Sequence, residues 1–314
     1  MVLNCPLCNS GSVASIESVK VSELAELYSQ MLGRSIIEEF SGHNEFGFFL
    51  CGGCDLRFFH PAVTGSEGFY ESLQKFDWYY LEDKDEYEFA RRYVPENSCV
   101  LEIGCGKGAF AKKIDTGNYT GLEFSSKARE MGESAGIRIL NETVQAHAVK
   151  NAGRYDVVCS FQVLEHIADV SAFLGSSIEC LAPGGRYIIS VPSADSFISS
   201  ATNATLNLPP HHVTHWSDKS LCSIASIFDL KMVELYHDKL ADIHSRWYSI
   251  TMAQQMLNAI FRKKKKLIDL SFSSRVLTRL AGILVDHHLA GKQKKGSLPR
   301  GHSVTVVYRK PIRK

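Results

Sequence analysis

Apolar positions follow two different rhythms along this chain. In the first stretch, Leu24, Leu27 and Leu32 lie at helical spacing within Val21 to Ile36, which predicts a short amphipathic helix. The segment GFFLCGGCDLRFFHP predicts a strand, a tight turn and a second strand. Residues 63–98 are rich in aromatics and acids and predict mostly helix leading into the next domain. From Ser98 the texture changes: CVLEIGC, YTGLEF, IRIL, YDVVCSF and RYIISVP are short apolar runs separated by helical stretches. That alternation implies βαβ units and a largely parallel sheet. A helix from Ser217 to Phe228 and the strands KMVELYHD and SVTVVYRK follow. Residues 240–300, between those last two strands, predict two amphipathic helices separated by the run Arg262 to Lys266. Leu277, Leu280, Ile283 and Leu284 are expected to form one apolar face there. The domain expectation is thus 1–62, a helical linker 63–98, and an α/β domain 99–314 interrupted by a basic helical insertion at 240–300.

Composition narrows the class. The chain has 314 residues, 45% hydrophobic and 22% charged, which suits a globular α/β domain plus a smaller module and excludes global disorder. No apolar run reaches membrane-span length, and MVLNCPLCNS lacks the features of a secretory signal. A cytoplasmic setting is expected, with peripheral membrane contact as a variant. The net charge of +1 conceals a strong polarity. Residues 261–314 carry 15 Lys or Arg against two acids, while the rest carries 20 basic and 32 acidic residues. The basic end therefore suits an anionic surface, lipid or RNA, or simply solvent.

The most specific signal is VLEIGCGKGAF, residues 100–110. An apolar strand enters Gly104-Cys105-Gly106-Lys107-Gly108, after which a helix is expected. Glycines permit a tight turn and close ligand approach, but G-x-G-x-G alone also suits dinucleotide sites. Two acids sharpen it. Glu102 precedes the first glycine by two residues. Glu123 ends the next strand, where a carboxylate can accept hydrogen bonds from both ribose hydroxyls.

Across residues 98–195 the chain resembles class I S-adenosylmethionine-dependent methyltransferases. VLEIGCGKGAF, YTGLEFS, YDVVCSFQVLEHI and LAPGGRYIISVP occur in that family's order. The resemblance implies a Rossmann-like sheet whose last strand is antiparallel. It also implies that Gly104, Gly106 and Gly108 approach the methionine part of the cofactor and that Glu123 meets the ribose. Gln162 would lie beside the methionine or sulfonium, and Asn141 to Thr143 near the adenine. Glu102 would contact either the cofactor amine or backbone. His166, in Leu164-Glu165-His166, would be structural or line the pocket.

Two pairs, Cys5-Pro6-Leu7-Cys8 and Cys51-Gly52-Gly53-Cys54, can present four thiolates to one structural Zn²⁺. Their separation exceeds usual ribbon spacing, and the helix between them explains it as an insertion. A redox role would need a pair at a βα junction, and neither sits at one. Cys99, Cys105, Cys159, Cys180 and Cys222 are expected in the core. A four-cysteine module ahead of this domain is similar to bacterial sugar and polysaccharide-pathway methyltransferases, which implies a sugar, nucleotide-sugar or glycan-precursor acceptor. The acceptor's base is sought in Pro209-Pro210-His211-His212-Val213-Thr214-His215-Trp216. His212 is the first candidate and His211 the second, because imidazole suits proton removal near neutrality. The bland alternative is a loop whose histidines cap helices or pair with carboxylates. Tyr79 and Tyr80 are a further phenol source, although aromatic packing suits them as well. A ribosomal or transfer RNA methyltransferase with a zinc module and an idle cofactor-binding scaffold are the rival functions. The basic insertion, with Lys292, Lys294 and Lys295 beyond it, would serve as substrate lid, dimer contact, lipid surface or RNA clamp.

Overall fold

A computed structural model describes residues 3–73, 75–76, 82–289 and 299–312. The N-terminal part holds β1 (Val13–Lys20), α1 (Val21–Leu32), β2 (Glu45–Cys51), β3 (Arg57–His60) and α2 (Glu67–Leu73). Then come α3 (Asp85–Ala90), β4 (Cys99–Ile103), β5 (Asn118–Leu122), α4 (Ser126–Ser134), β6 (Ile139–Leu140) and α5 (Val144–Asn151). The chain continues through β7 (Tyr155–Phe161), α6 (Val170–Glu179), β8 (Leu181–Pro192), β9 (Thr214–His215) and α7 (Asp218–Ile227). It ends with β10 (Lys231–Lys239), α8 (Ser245–Ile260), α9 (Phe272–Leu289) and β11 (Arg300–Arg309).

Seven strands form one sheet in the order β10-β11-β8-β7-β4-β5-β6. β4 to β8 pair in parallel, and β11 runs antiparallel to β8 and β10, with Val306 opposite Ile189. This is the expected Rossmann-like methyltransferase sheet. Its strands read as continuous apolar runs because both faces are covered. Leu101, Val158, Ile189 and Val306 enter one core, and Val100, Val157, Ile188 and Val307 the other.

A second sheet, β1-β2-β3-β9, carries the cysteine pairs. Its side chains alternate between two cores, as successive strand residues must. Phe46, Phe48 and Phe59 pack under α1, while Cys51 and Phe58 join the core of the large sheet. The fourth strand of this sheet, β9, comes from the histidine loop, with Phe58 opposite Thr214. Residues 1–62 therefore share a sheet with a segment far along the chain.

Several local expectations change. The run after Gly108 forms turns and a three-residue 3₁₀ helix, Ala111–Lys113, instead of an α-helix. Only residues 109–117 separate that glycine from β5, too few for a helix and a return. Among the described residues, the 63–98 stretch contains only the short α2 and α3 and a 3₁₀ turn at Arg91–Tyr93. Tyr79, Tyr80, Lys292, Lys294 and Lys295 lie outside the described residues. The insertion is the two-helix hairpin α8–α9, but its apolar face differs. α9 buries Ser274, Leu277, Ala281 and Val285, whereas Leu280, Ile283 and Leu284 are 43%, 55% and 55% exposed. Small Ser274 and Ala281 let α9 pack closely along that row, which turns the bulkier row outward. Cys222 is exposed and Cys99 half-buried, so only Cys105, Cys159 and Cys180 are buried as expected.

Candidate functional site

One cavity of about 1530 Å³ opens beyond the carboxyl ends of β4, β5 and β7. That exceeds the usual volume for one small ligand, roughly 300–1,000 Å³, and leaves room for a cofactor and an acceptor together.

At one end lies the glycine turn. Gly104 has φ +71°, and a Cβ there would meet Val163 Cγ2 at 2.5 Å. Gly106 has φ +53°, and its N–H donates to Glu123 Oε2 at 2.9 Å. The other oxygen of Glu123 accepts from Ser125 N at 2.8 Å, so two backbone donors fix this carboxylate at the cavity wall. Asn141, Glu142 and Thr143 line the same end. Gly108, also at positive φ (+77°), does not line the cavity. A Cβ there would meet Ile137 Cδ1 at 2.5 Å, so it makes room for Ile137, in the loop between α4 and β6. Glu102 does not line the cavity either. It is 1% exposed, and its Oε2 accepts from the Tyr119 hydroxyl at 2.5 Å. Burial raises its carboxyl to about 8.

Gln162 sits at φ +57° just past β7. Its amide nitrogen donates to Glu86 Oε2 at 2.8 Å and lies 3.3 Å from Ser190 Oγ. Glu86, on α3, is buried, pairs with Lys84 at 3.5 Å and lines the cavity. Nothing local in the sequence marks it, because one acid in an acidic helix carries no signal of its own.

The far end holds the histidines. His166 Nδ1 lies 2.5 Å from the His211 carbonyl oxygen, His211 Nδ1 lies 2.8 Å from the Leu206 carbonyl oxygen, and His212 Nδ1 lies 3.1 Å from Asn207 Oδ1. Carbonyl oxygens only accept, so each Nδ1 carries the proton and donates. His212 Nε2 and His166 Nε2 lie 3.9 and 3.8 Å from the same oxygen, Glu165 Oε1. Glu165 is 1% exposed, and neither carboxylate oxygen has a hydrogen-bond partner among the described residues. Burial lifts its carboxyl to about 8 and presses His166 down to about 4. Burial also pushes His211 and His212 well below the usual imidazole range.

The loop is held from several sides. Val213 N donates to Glu165 O at 2.9 Å, Phe59 N donates to Val213 O at 2.9 Å, and Tyr28 Oη donates to Leu208 O at 2.8 Å. His215 faces away: its Nε2 donates to Asn207 O at 2.8 Å, and its ring packs against Phe48 and Phe59. Trp216 is fully buried, its indole N–H on Thr214 Oγ1. Asn203, Asp238, His244, Trp247 and His302 complete the wall.

The four cysteines form a separate cluster. Cys5 Sγ lies 3.5 Å from Cys54 Sγ, and Cys8 Sγ lies 3.5 Å from Cys51 Sγ. All four sulfurs lie within 4.8 Å of one another. A tetrahedral ion with metal–sulfur bonds of about 2.3 Å separates its sulfurs by about 3.8 Å, so the donors fit. The two turns match: Asn9 N donates to Cys5 O and Asp55 N donates to Cys51 O, both at 2.9 Å, with positive φ at Asn9 and Asp55.

Residues 77–235 match the model of a family described as a methyltransferase domain. The chain belongs to that family. The methyltransferase is 32% identical over 99 residues to the ubiquinone biosynthesis O-methyltransferases of Escherichia coli and Shigella boydii. That match spans 29% of this chain and 41% of theirs. Among solved structures it is similar to an S-adenosylmethionine-dependent methyltransferase from Archaeoglobus fulgidus, at TM-score 0.46 and 16% identity, over 71% of this chain and 92% of that one. A second, from Mesorhizobium loti, has TM-score 0.46 and 14% identity, over 73% and 99%. S-adenosylmethionine is the family's cofactor, and the turn at Gly104 and Gly106 with the anchored Glu123 carboxylate fits it. Among the described residues, no helix is long and apolar enough to cross a membrane.

Proposed function

We propose that this methyltransferase transfers the methyl group of S-adenosylmethionine to an oxygen of a sugar, nucleotide-sugar or glycan precursor. The observation that carries the reading is the single cavity joining the glycine turn to the histidine loop. Bound S-adenosylmethionine supplies an electrophilic methyl group on a cationic sulfur. Gly104 and Gly106 let its methionine part approach the backbone. Glu123 accepts the ribose hydroxyls, and Asn141 borders the adenine. Glu86, held by Gln162, sets a carboxylate near the cationic end. At the acceptor end, His212 takes the hydroxyl proton through Nε2. His211 stacks on it, with ring centroids 4.5 Å apart. Aromatic Trp247 with Asn203 and Asp238 suits a polyhydroxylated ring, which needs an apolar face and many hydrogen bonds. Trp247 belongs to the α8–α9 hairpin, so that insertion serves as a wall over the acceptor.

Zn²⁺ on Cys5, Cys8, Cys51 and Cys54 plays a structural part, fixing the sheet from which the histidine loop hangs. An RNA acceptor is the second reading, favoured by exposed Lys264 and Lys266 beside the hairpin. Labelled cofactor offered with a panel of nucleotide-sugars and with ribosomal RNA separates them. Methylation of a nucleotide-sugar is the expected result. Methylation of RNA alone, lost when Lys263 to Lys266 are neutralised, would overturn the sugar assignment.

A further inference from the structure

We infer that His166, His211, His212 and Glu165 form a site for one divalent transition-metal ion at the acceptor end of the cavity, separate from the cysteine cluster. The inference rests on the reading of that end as the acceptor site and changes what its histidines do. One ring nitrogen from each of the three histidines lies within 4.8 Å of the others. Their Nδ1 positions are taken: His166 donates to His211 O, His211 to Leu206 O and His212 to Asn207 Oδ1. A neutral ring protonated at Nδ1 holds its lone pair on Nε2. This is how proteins orient metal-ligating imidazoles, with a carbonyl or carboxylate fixing the far nitrogen.

The carboxylate is the independent observation. Glu165 is fully buried, and neither oxygen meets a hydrogen-bond donor among the described residues. An orphaned carboxylate is costly in a protein interior. It lies where it would be a ligand, with Oε1 at 3.8 Å from His166 Nε2 and 3.9 Å from His212 Nε2. Donors around an ion at about 2.0–2.2 Å sit about 3.4 Å apart, so the carboxylate–imidazole pairs would draw in by about half an ångström and the imidazole nitrogens by up to about 1.4 Å. Three imidazoles and one carboxylate select a borderline ion such as Zn²⁺, Fe²⁺ or Co²⁺ over Mg²⁺ or Ca²⁺. All four residues line the cavity, so an acceptor oxygen entering there would be a fifth ligand, with the ion expanding from four- to five-coordination. With an ion in place, the histidines act as ligands, and the acceptor hydroxyl is polarised by coordination.

Cobalt(II) titration of the full chain, carrying one equivalent of zinc on its four cysteines and no more, tests this. The expected result is one added equivalent with visible d–d absorption and no thiolate charge-transfer band. His212→Ala and His166→Gln should each abolish it, and Glu165→Gln should weaken it by about tenfold or more. Circular dichroism and cofactor binding verify that each variant is folded. No added equivalent, or a band that survives both histidine changes, overturns the site. If cobalt adds nothing yet His212→Ala loses turnover, the metal site falls and the histidine-base reading stands. If cobalt binds as expected and His212→Ala keeps full methyl transfer, the metal site stands and the acceptor-end reading falls.

Discussion

Gly104, Gly106 and Glu123 come from the tips of two adjacent parallel strands, and backbone N–H groups hold the carboxylate. At the opposite end of the same cavity, Glu165 and His166 follow β7, and His211 and His212 hang from β9 in the other sheet. Asp238, Trp247 and His302 come from three later segments. One end is thus built by local backbone geometry and the other by side chains that only tertiary structure unites. The cofactor end should tolerate distant changes, because its turn is part of the large sheet. The acceptor end should depend on everything that positions the histidine loop, including the cysteine cluster.

The largest expected effect is at the acceptor end. His212→Ala should lower turnover by about 10²–10⁴-fold, whether the ring moves a proton or holds an ion. S-adenosylmethionine affinity, read by calorimetry, should stay within a factor of about two, since the substitution leaves the glycine turn untouched. A parallel loss of cofactor affinity would erase the distinction between the two ends.

Next comes the cysteine cluster. Cys51 ends β2, β2 pairs with β3, and β3 pairs with β9 beside the histidine loop. Cys51→Ser should abolish the single structural zinc measured by elemental analysis, lower the melting temperature, and reduce turnover by about tenfold or more. Cofactor affinity should change least. Full turnover in a zinc-free variant would mean that the small sheet does not position the loop.

Glu123→Ala should weaken S-adenosylmethionine binding by about 1–3 kcal/mol, since charge-assisted contacts are lost. Its own backbone partners, Gly106 N and Ser125 N, would lose an acceptor too, so part of the effect is a looser turn. Unchanged affinity would remove Glu123 from the cofactor site.

The same contrast explains what was legible in the sequence. The strands of the large sheet follow from their apolar runs, and the glycine turn from spacing within seven residues of β4. The CxxC pairs identify themselves by local spacing, and their sulfurs meet in space. The His211–His212 pair stands out in the loop. Its partnership with Glu165 and His166 does not, because the 45 residues between His166 and His211 are closed by tertiary contacts, among them Val213 N on Glu165 O and β9 on β3. Gly108 and Glu102 show the converse, that a place in a motif does not fix what a residue touches. Both sit inside the cofactor motif, yet one packs on Ile137 and the other on Tyr119. The apolar stripe of α9 differs from the one its spacing predicts because residue size, not only spacing, decides which row packs.

The smallest predicted effect concerns Glu102 and appears as a pH dependence of stability. Its carboxyl has an ordinary value of 4.5 and is raised to about 8 in the fold, by burial first and by Glu123 in addition. The Tyr119 hydroxyl and Lys84 act in the opposite direction. Between those two values the folded state holds a proton that the unfolded state has released. Stability from this group is therefore fully present below about pH 4.5 and is lost as pH rises towards 8. Glu102→Gln keeps the shape and removes the titration. Denaturant midpoints of the two proteins should diverge as pH rises from 5 to 8, with the Gln form relatively more stable at the upper end. The variant should bind S-adenosylmethionine nearly as well as the parent, because Glu102 does not line the cavity. Parallel midpoints across that window would show that the Glu102 carboxyl ionises normally in the fold. A large loss of cofactor affinity would return Glu102 to the cofactor site.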